Sequence, residues 1–161
     1  MQMLEMTRIA SPVGEILLVS TATAVAFLDY HDYEDRMHQL LRSRYGTAYT
    51  LRSGADPHGV KDKLAAYFAG ALTAIDDIPV ETGGTAFQQA VWLALRTIPA
   101  GQTATYGQQA ARIGNPTATR AVGRTNGLNP IAIVLPCHRV IGARGHSPAM
   151  RAGSSVKRGY S

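Results

Sequence analysis

From Ile131 to Leu135 the chain reads Ile-Ala-Ile-Val-Leu, bracketed by Pro130 and Pro136. Five consecutive apolar side chains have to leave water, so any fold of this protein must close over them. The bracketing prolines mark its ends, and the spacing predicts a short, fully buried strand or core segment. The residue that emerges after Pro136 is Cys137, the single cysteine of the chain, with His138 and Arg139 next. An unassisted thiol has a pKa of about 8.5 and is only a few per cent thiolate at neutral pH, so a nearby base or cation decides whether it attacks anything. Side chains at i and i+1 usually diverge, and a lone cysteine is more often a small buried hydrophobe than a nucleophile. Spacing alone favours the hydrophobe.

At 161 residues, 45% of them hydrophobic, the chain can build one ordinary domain or two small ones with a real core. No stretch approaches a membrane span, and Met1 to Ala10 carries Glu5 and Arg8 instead of a signal pattern, so a cytoplasmic protein with no membrane partner is expected. One cysteine excludes an internal disulfide and fits a reducing cytosol. Charge divides the chain. Residues 1–80 carry 7 Lys/Arg against 10 Asp/Glu, a net of −3, whereas residues 81–161 carry 9 against Glu81 alone, a net of +8, which together make the overall +5. A half so poor in acids suits a polyanion, and nucleic acid is the expected partner.

The first half, residues 1–80, reads as mixed α/β. Residues 3–10, 15–20 and 23–29 look like a three-stranded meander, followed by helices over Asp32 to Tyr45 and Pro57 to Leu72. His31, His38 and His58 have no cysteine or clustered carboxylate at ligand spacing, so no metal is expected. A polar, glycine-rich step at Glu81-Thr82-Gly83-Gly84 separates the second half, residues 81–161. There Thr85 caps a helix to Ile98 whose stripe of Phe87, Val91, Trp92 and Leu95 is core. Tyr106 to Ile113, a turn at Gly114-Asn115-Pro116, and Thr117 to Asn126 with Thr117 as cap make a helix-turn-helix outline. Arg112, Arg120 and Arg124 put positive charge on it, and Arg120 and Arg124, four apart, share a face that can meet one strip of phosphates.

Pro136-Cys137-His138-Arg139-Val140, preceded by Asn129-Pro130 and Arg120-Ala121-Val122-Gly123, closely resembles the motif of the O6-alkylguanine-DNA alkyltransferases. Thr85 to Gln89 with Val91-Trp92, Ile98 to Gln102, and Tyr106 to Ala110 match in order and spacing, so the resemblance covers residues 83–142. Ser11 to Gly14 and Tyr67 to Gly70 look like the bacterial members more loosely. The resemblance implies an α+β protein, with an N-terminal ribonuclease-H-like α/β domain and a helical C-terminal domain holding a winged helix-turn-helix. It implies single-turnover DNA repair in which Cys137 takes the alkyl group of O6-alkylguanine or O4-alkylthymine, with no cofactor, by a monomer acting on double-stranded DNA carrying alkylated bases. His138 would take the thiol proton through a water, and Asn129 would hold the turn over the thiol. Arg120 would enter the base stack in place of a rotated nucleotide, Tyr106 would crowd the phosphate, and small residues at Ala118, Ala121 and Gly123 would allow a minor-groove approach.

The tail departs from the family. After the cysteine, relatives continue with a Leu-Thr-Gly-Tyr-Ala-Gly-Gly-Leu-like loop and a helix that brings a histidine-orienting glutamate, whereas this chain reads His146-Ser147-Pro148-Ala149-Met150-Arg151-Ala152-Gly153-Ser154. The family's tyrosine position is Met150, and the glutamate falls beyond Ser161. Codons for residues 147–161 can be chosen so that the minus-one frame restores the family pattern in register, which makes a frame shift an economical account of residues 146–161. The competing reading is a DNA-binding or lesion-sensing helix-turn-helix module that lost its chemistry with that tail.

Overall fold

The computed structural model describes residues 1–142, so the expectations for residues 146–161 lie outside the described residues. The chain forms two compact units that part between Gly83 and Gly84.

In the first unit β1 (Gln2–Ile9), β2 (Ile16–Ser20) and β3 (Val25–Tyr30) form the expected meander, and β2 and β3 are buried at every position. Strands covered on both faces have no use for alternation, which is why both read as near-continuous apolar runs. A 3-10 turn, His31–Tyr33, leads into α1 (Glu34–Tyr45), shorter at its start than the predicted helix. Met37 and Leu41, one turn apart, drop from α1 into a core of Leu4, Leu17, Val19, Ala26 and Phe27. The chain then returns as β4 (Tyr49–Ser53), parallel to β1, to give the order β3-β2-β1-β4. This strand was not predicted. It is a short, half-exposed edge in which only Tyr49 and Leu51 turn to the core, and its pairing with β1 completes it.

The second helix of this unit, α2 (Val60–Phe68), is shorter than the predicted Pro57 to Leu72. Asp56 sets its late start by accepting from the backbone N–H groups of Val60 and Lys61 at 3.0 and 2.9 Å, and Gly70, at φ +113, cannot continue it at the other end.

The second unit is helical. Thr85 caps α3 (Ala86–Ala94) through a reciprocal capping box with Gln88, and a 3-10 turn at Leu95–Thr97 replaces the rest of the expected helix. Short β5 (Ala104–Thr105) runs into α4 (Tyr106–Arg112), where Thr105 and Gln108 form a second capping box. A left-handed Gly114 closes α4, its N–H reaching Ala111 O at 3.0 Å while Asn115 N–H reaches Ala110 O at 2.9 Å. Next comes α5 (Thr119–Gly127), but Thr117 does not cap it. Its hydroxyl turns to Asn115 Oδ1 at 3.4 Å, and Ala118 occupies the cap position with no side-chain bond. A 3-10 turn, Cys137–Arg139, then leads to β6 (Val140–Ile141), which pairs parallel with β5. The fold is therefore α+β, and no helix among the described residues is long and apolar enough to cross a membrane.

Candidate active site and nucleic-acid interface

The apolar run is buried throughout but is not a strand. Ile133 stands at φ +70, the one non-glycine residue with positive φ among the described residues, and Val134 N–H bonds back to Ala132 O at 2.8 Å. A β-branched residue in that region is strained by about 1 to 3 kcal/mol and persists only where its surroundings impose it. Pro136, at φ −80 and ψ 70, makes an inverse γ-turn, with Cys137 N–H donating to Leu135 O at 2.8 Å. Two tight turns in succession thus bend the chain just before Cys137, which is itself buried where the sequence predicts that buried chain emerges, because Arg139 and Val140 after it are buried too.

Asn129 ties these turns together. Its Nδ2 donates to Leu135 O at 2.7 Å and its Oδ1 accepts from Ile131 N–H at 2.9 Å, so one buried amide spans the run from start to end. The Leu135 carbonyl thereby receives both Asn129 and the Cys137 backbone.

Cys137 is 8% exposed, and His138 beside it is half-buried, with ring nitrogens shielded from solvent. Arg139, two residues on, is almost completely buried and donates from Nη1 to Ile98 O at 2.8 Å. Sequence reading did not single it out, because nothing in a single sequence distinguishes an inward arginine from an outward one. Pairing of Val140 with Ala104 holds this turn beside Thr105 and Tyr106, the start of the helix-turn-helix.

Tyr106 is 8% exposed, and its ring lies in contact distance of a methyl group placed at Gly123 on α5. Arg112, Arg120 and Arg124 are all exposed, Arg112 donating to Thr97 Oγ1 at 3.4 Å and the other two standing four apart on α5. Buried neutral polar groups fasten α5 to its neighbours. Trp92 Nε1 donates to Thr125 O at 2.8 Å, which agrees with its predicted packing role. Gln109 and Asn126 exchange amide bonds at 2.8 and 3.3 Å, and Gln109 also reaches Val91 O at 3.0 Å. Neither amide was foreseen, since polar residues on a helix read as its wet face. No group of three or more His, Cys, Asp or Glu that could hold a metal ion occurs among the described residues.

Two family models match the chain: the ribonuclease-like domain of 6-O-methylguanine DNA methyltransferase over residues 5–82, and its DNA binding domain over residues 86–160. A methylated-DNA–protein-cysteine methyltransferase of Salmonella typhimurium is 50% identical over 86% of this chain and 82% of its own length. One of Mycobacterium tuberculosis is 44% identical over 97% of this chain and 89% of its own. The crystal structure of Mycobacterium tuberculosis OGT in complex with DNA superposes with a TM-score of 0.77 at 44% identity, covering 96% of this chain and 88% of that one. With both halves matched and relatives aligned over most of their length, the chain belongs to the 6-O-methylguanine DNA methyltransferase family.

Proposed function

We propose that this protein repairs alkylated DNA by moving the alkyl group of O6-alkylguanine, or of O4-alkylthymine, irreversibly to Cys137. The observation that carries the reading is the double turn that presents a shielded thiol next to His138, in the same unit as an exposed basic helix. An alkyl group on guanine O6 lies inside the duplex, so the nucleotide has to be rotated out at a cost of a few kcal/mol. Arg120 on α5 fills the vacated stack, Tyr106 crowds the backbone, and Arg112 and Arg124 hold phosphates.

In the transfer, the thiol proton passes to His138 through a water. The sulfur lone pair then forms the S–C bond, and the C–O6 pair leaves with guanine, which takes up a proton. Asn129 keeps the turn in place throughout. The product is a thioether, which water does not cleave at useful rates, so each molecule acts once and alone. Family membership and the match to a structure named as a DNA complex support DNA as the partner.

Incubation with duplex DNA containing O6-methylguanine should add one methyl group per protein by intact mass, mapped to the Cys137 peptide. Cys137→Ala should gain none, and Arg120→Ala should slow the gain more than it weakens DNA binding. A folded wild-type sample that binds DNA without gaining mass would leave a lesion-sensing module instead.

A further inference from the structure

Gln109 on α4 and Asn126 on α5 are each 1% exposed, and each amide is both donor and acceptor to the other. Asn126 Nδ2 donates to Gln109 Oε1 at 2.8 Å, and Gln109 Nε2 donates to Asn126 Oδ1 at 3.3 Å. Gln109 Nε2 also donates to Val91 O at 3.0 Å, which ties the pair to α3. Stability does not account for this choice of side chains, because two apolar groups of the same shape in place of a buried hydrogen-bonded pair are nearly neutral or better. What the amides add is direction. Apolar contact is non-directional and tolerates several offsets, whereas two opposed hydrogen bonds close at one offset and one rotation of the helices. A buried polar side chain fixes the register of coiled coils in the same way.

The offset matters for Tyr106. A carbon placed at Gly123 would lie 3.9 and 4.0 Å from two atoms of the Tyr106 ring, so the ring meets α5 there. Gln109 stands three residues after Tyr106 and Asn126 three after Gly123, so the amide exchange lies one turn from the ring contact on both helices. Arg120 stands three residues before Gly123, one turn away in the other direction.

We propose that Gln109 and Asn126 are positioning residues for nucleotide rotation: their exchange fixes the offset of α5 against α4 at which Tyr106 and Arg120 act on the same nucleotide. This rests on reading Tyr106 and Arg120 as the residues that rotate the nucleotide out. Neither amide touches substrate, and the bond changes at Cys137 do not pass through them.

Asn126→Leu removes the exchange and leaves Gln109 its bond to Val91 O. Single-turnover methyl transfer at saturating protein is compared for O6-methylguanine in duplex DNA and in a single strand, where the base is already unpaired and has no duplex to leave. The variant should be about tenfold slower on the duplex and within about twofold of wild type on the single strand, since catalysis is sensitive to sub-ångström misplacement. A 2-aminopurine placed beside the lesion, whose fluorescence rises when its neighbour leaves the stack, should brighten less with the variant than with wild type at equal occupancy. Loss of folded protein would slow both DNAs alike. Gln109→Leu with Asn126→Leu, in which neither amide is left without the other, should show the same split. The exchanged pair, Gln109→Asn with Asn126→Gln, keeps an amide on each helix and should restore most of the duplex rate.

Equal slowing on both DNAs, an unchanged duplex rate, or equal brightening by Asn126→Leu and wild type would each overturn the proposal. Wild-type protein that brightens the duplex more than the variant does, yet takes up no methyl from either DNA, would defeat the alkyltransferase reading alone.

Discussion

The first unit satisfies much of its polar surface with charge, the second with neutral amides. Arg8 bridges Glu15 and Glu34, Arg52 holds Glu5, Arg44 reaches Glu81, and Lys63 pairs with Asp77. Having no acid, the second unit cannot form an ion pair from its own side chains. It uses the Gln109–Asn126 exchange, the Trp92 bond to Thr125, the Asn129 brace and two capping boxes. The difference follows from what each must meet. A carboxylate near a DNA-facing helix would repel phosphate, whereas an amide satisfies buried donors and acceptors and leaves the positive field undiminished. Exposed ion pairs are screened and contribute little, while a buried amide that loses its partner is costly.

The largest break in this contrast should come at Asn129. Asn129→Ala orphans Ile131 N–H, at about 1 to 3 kcal/mol, and takes one of the two donors from Leu135 O, at about 0.5 to 1.5 kcal/mol, so the second unit should lose about 2 to 4 kcal/mol. The variant should also release the turn that presents Cys137. Amide exchange would report it as lost protection around 129–137, with β1 to β3 unchanged. An equal loss in both units would show that they do not open separately.

A smaller effect is expected at the amide exchange between α4 and α5. Gln109→Leu and Asn126→Leu should each cost about 1 to 3 kcal/mol, because the first leaves the Asn126 amide buried without this exchange and the second leaves the Gln109 carbonyl without its donor, with only the bond from Nε2 to Val91 O kept. The double variant should cost clearly less than the two added together, and urea unfolding of the four proteins closes the cycle. Simple additivity would mean that the two amides do not depend on each other.

The smallest effect concerns acid. The hydrogen bond from Arg52 holds the Glu5 carboxyl below its ordinary 4.5, and that from Arg8 does the same for Glu34. A carboxylate with a lowered folded pKa stabilises above its ordinary pKa and loses that contribution as pH falls through the folded value. NMR spectra between about pH 5 and pH 3 should therefore show β1, β4 and the start of α1 loosening, while α3 to α5, which have no carboxyl to protonate, stay put. Loosening of α4 and α5 in the same range would mean that the acid response is not confined to the unit that carries the acids.

Much of this molecule is legible one residue at a time. The meander shows because β2 and β3 are apolar runs cut by turn residues, and Thr85 reads as a cap because Gln88 stands three places later. The reading of Cys137 as the alkyl acceptor comes from resemblance to a family motif, since a lone thiol beside a histidine carries too little information by itself. What escaped were β4, the late start of α2, and the bare start of α5, where a neighbouring strand or an upstream side chain overrode local preference.

The sequence by itself determined that residues 131–135 are buried and that the second half is basic and without acids after Glu81. Those are properties of composition and order, and burial follows from hydration alone. The expected emergence of the chain at Cys137 does not occur, since Cys137, Arg139 and Val140 are buried as well. Only the tertiary structure decided that the run is bent at Ile133 and Pro136 instead of extended, and that Asn129 closes it. It alone turned Arg139 inward to Ile98. Such choices depend on which distant backbone groups are left needing a partner, and no local pattern records that.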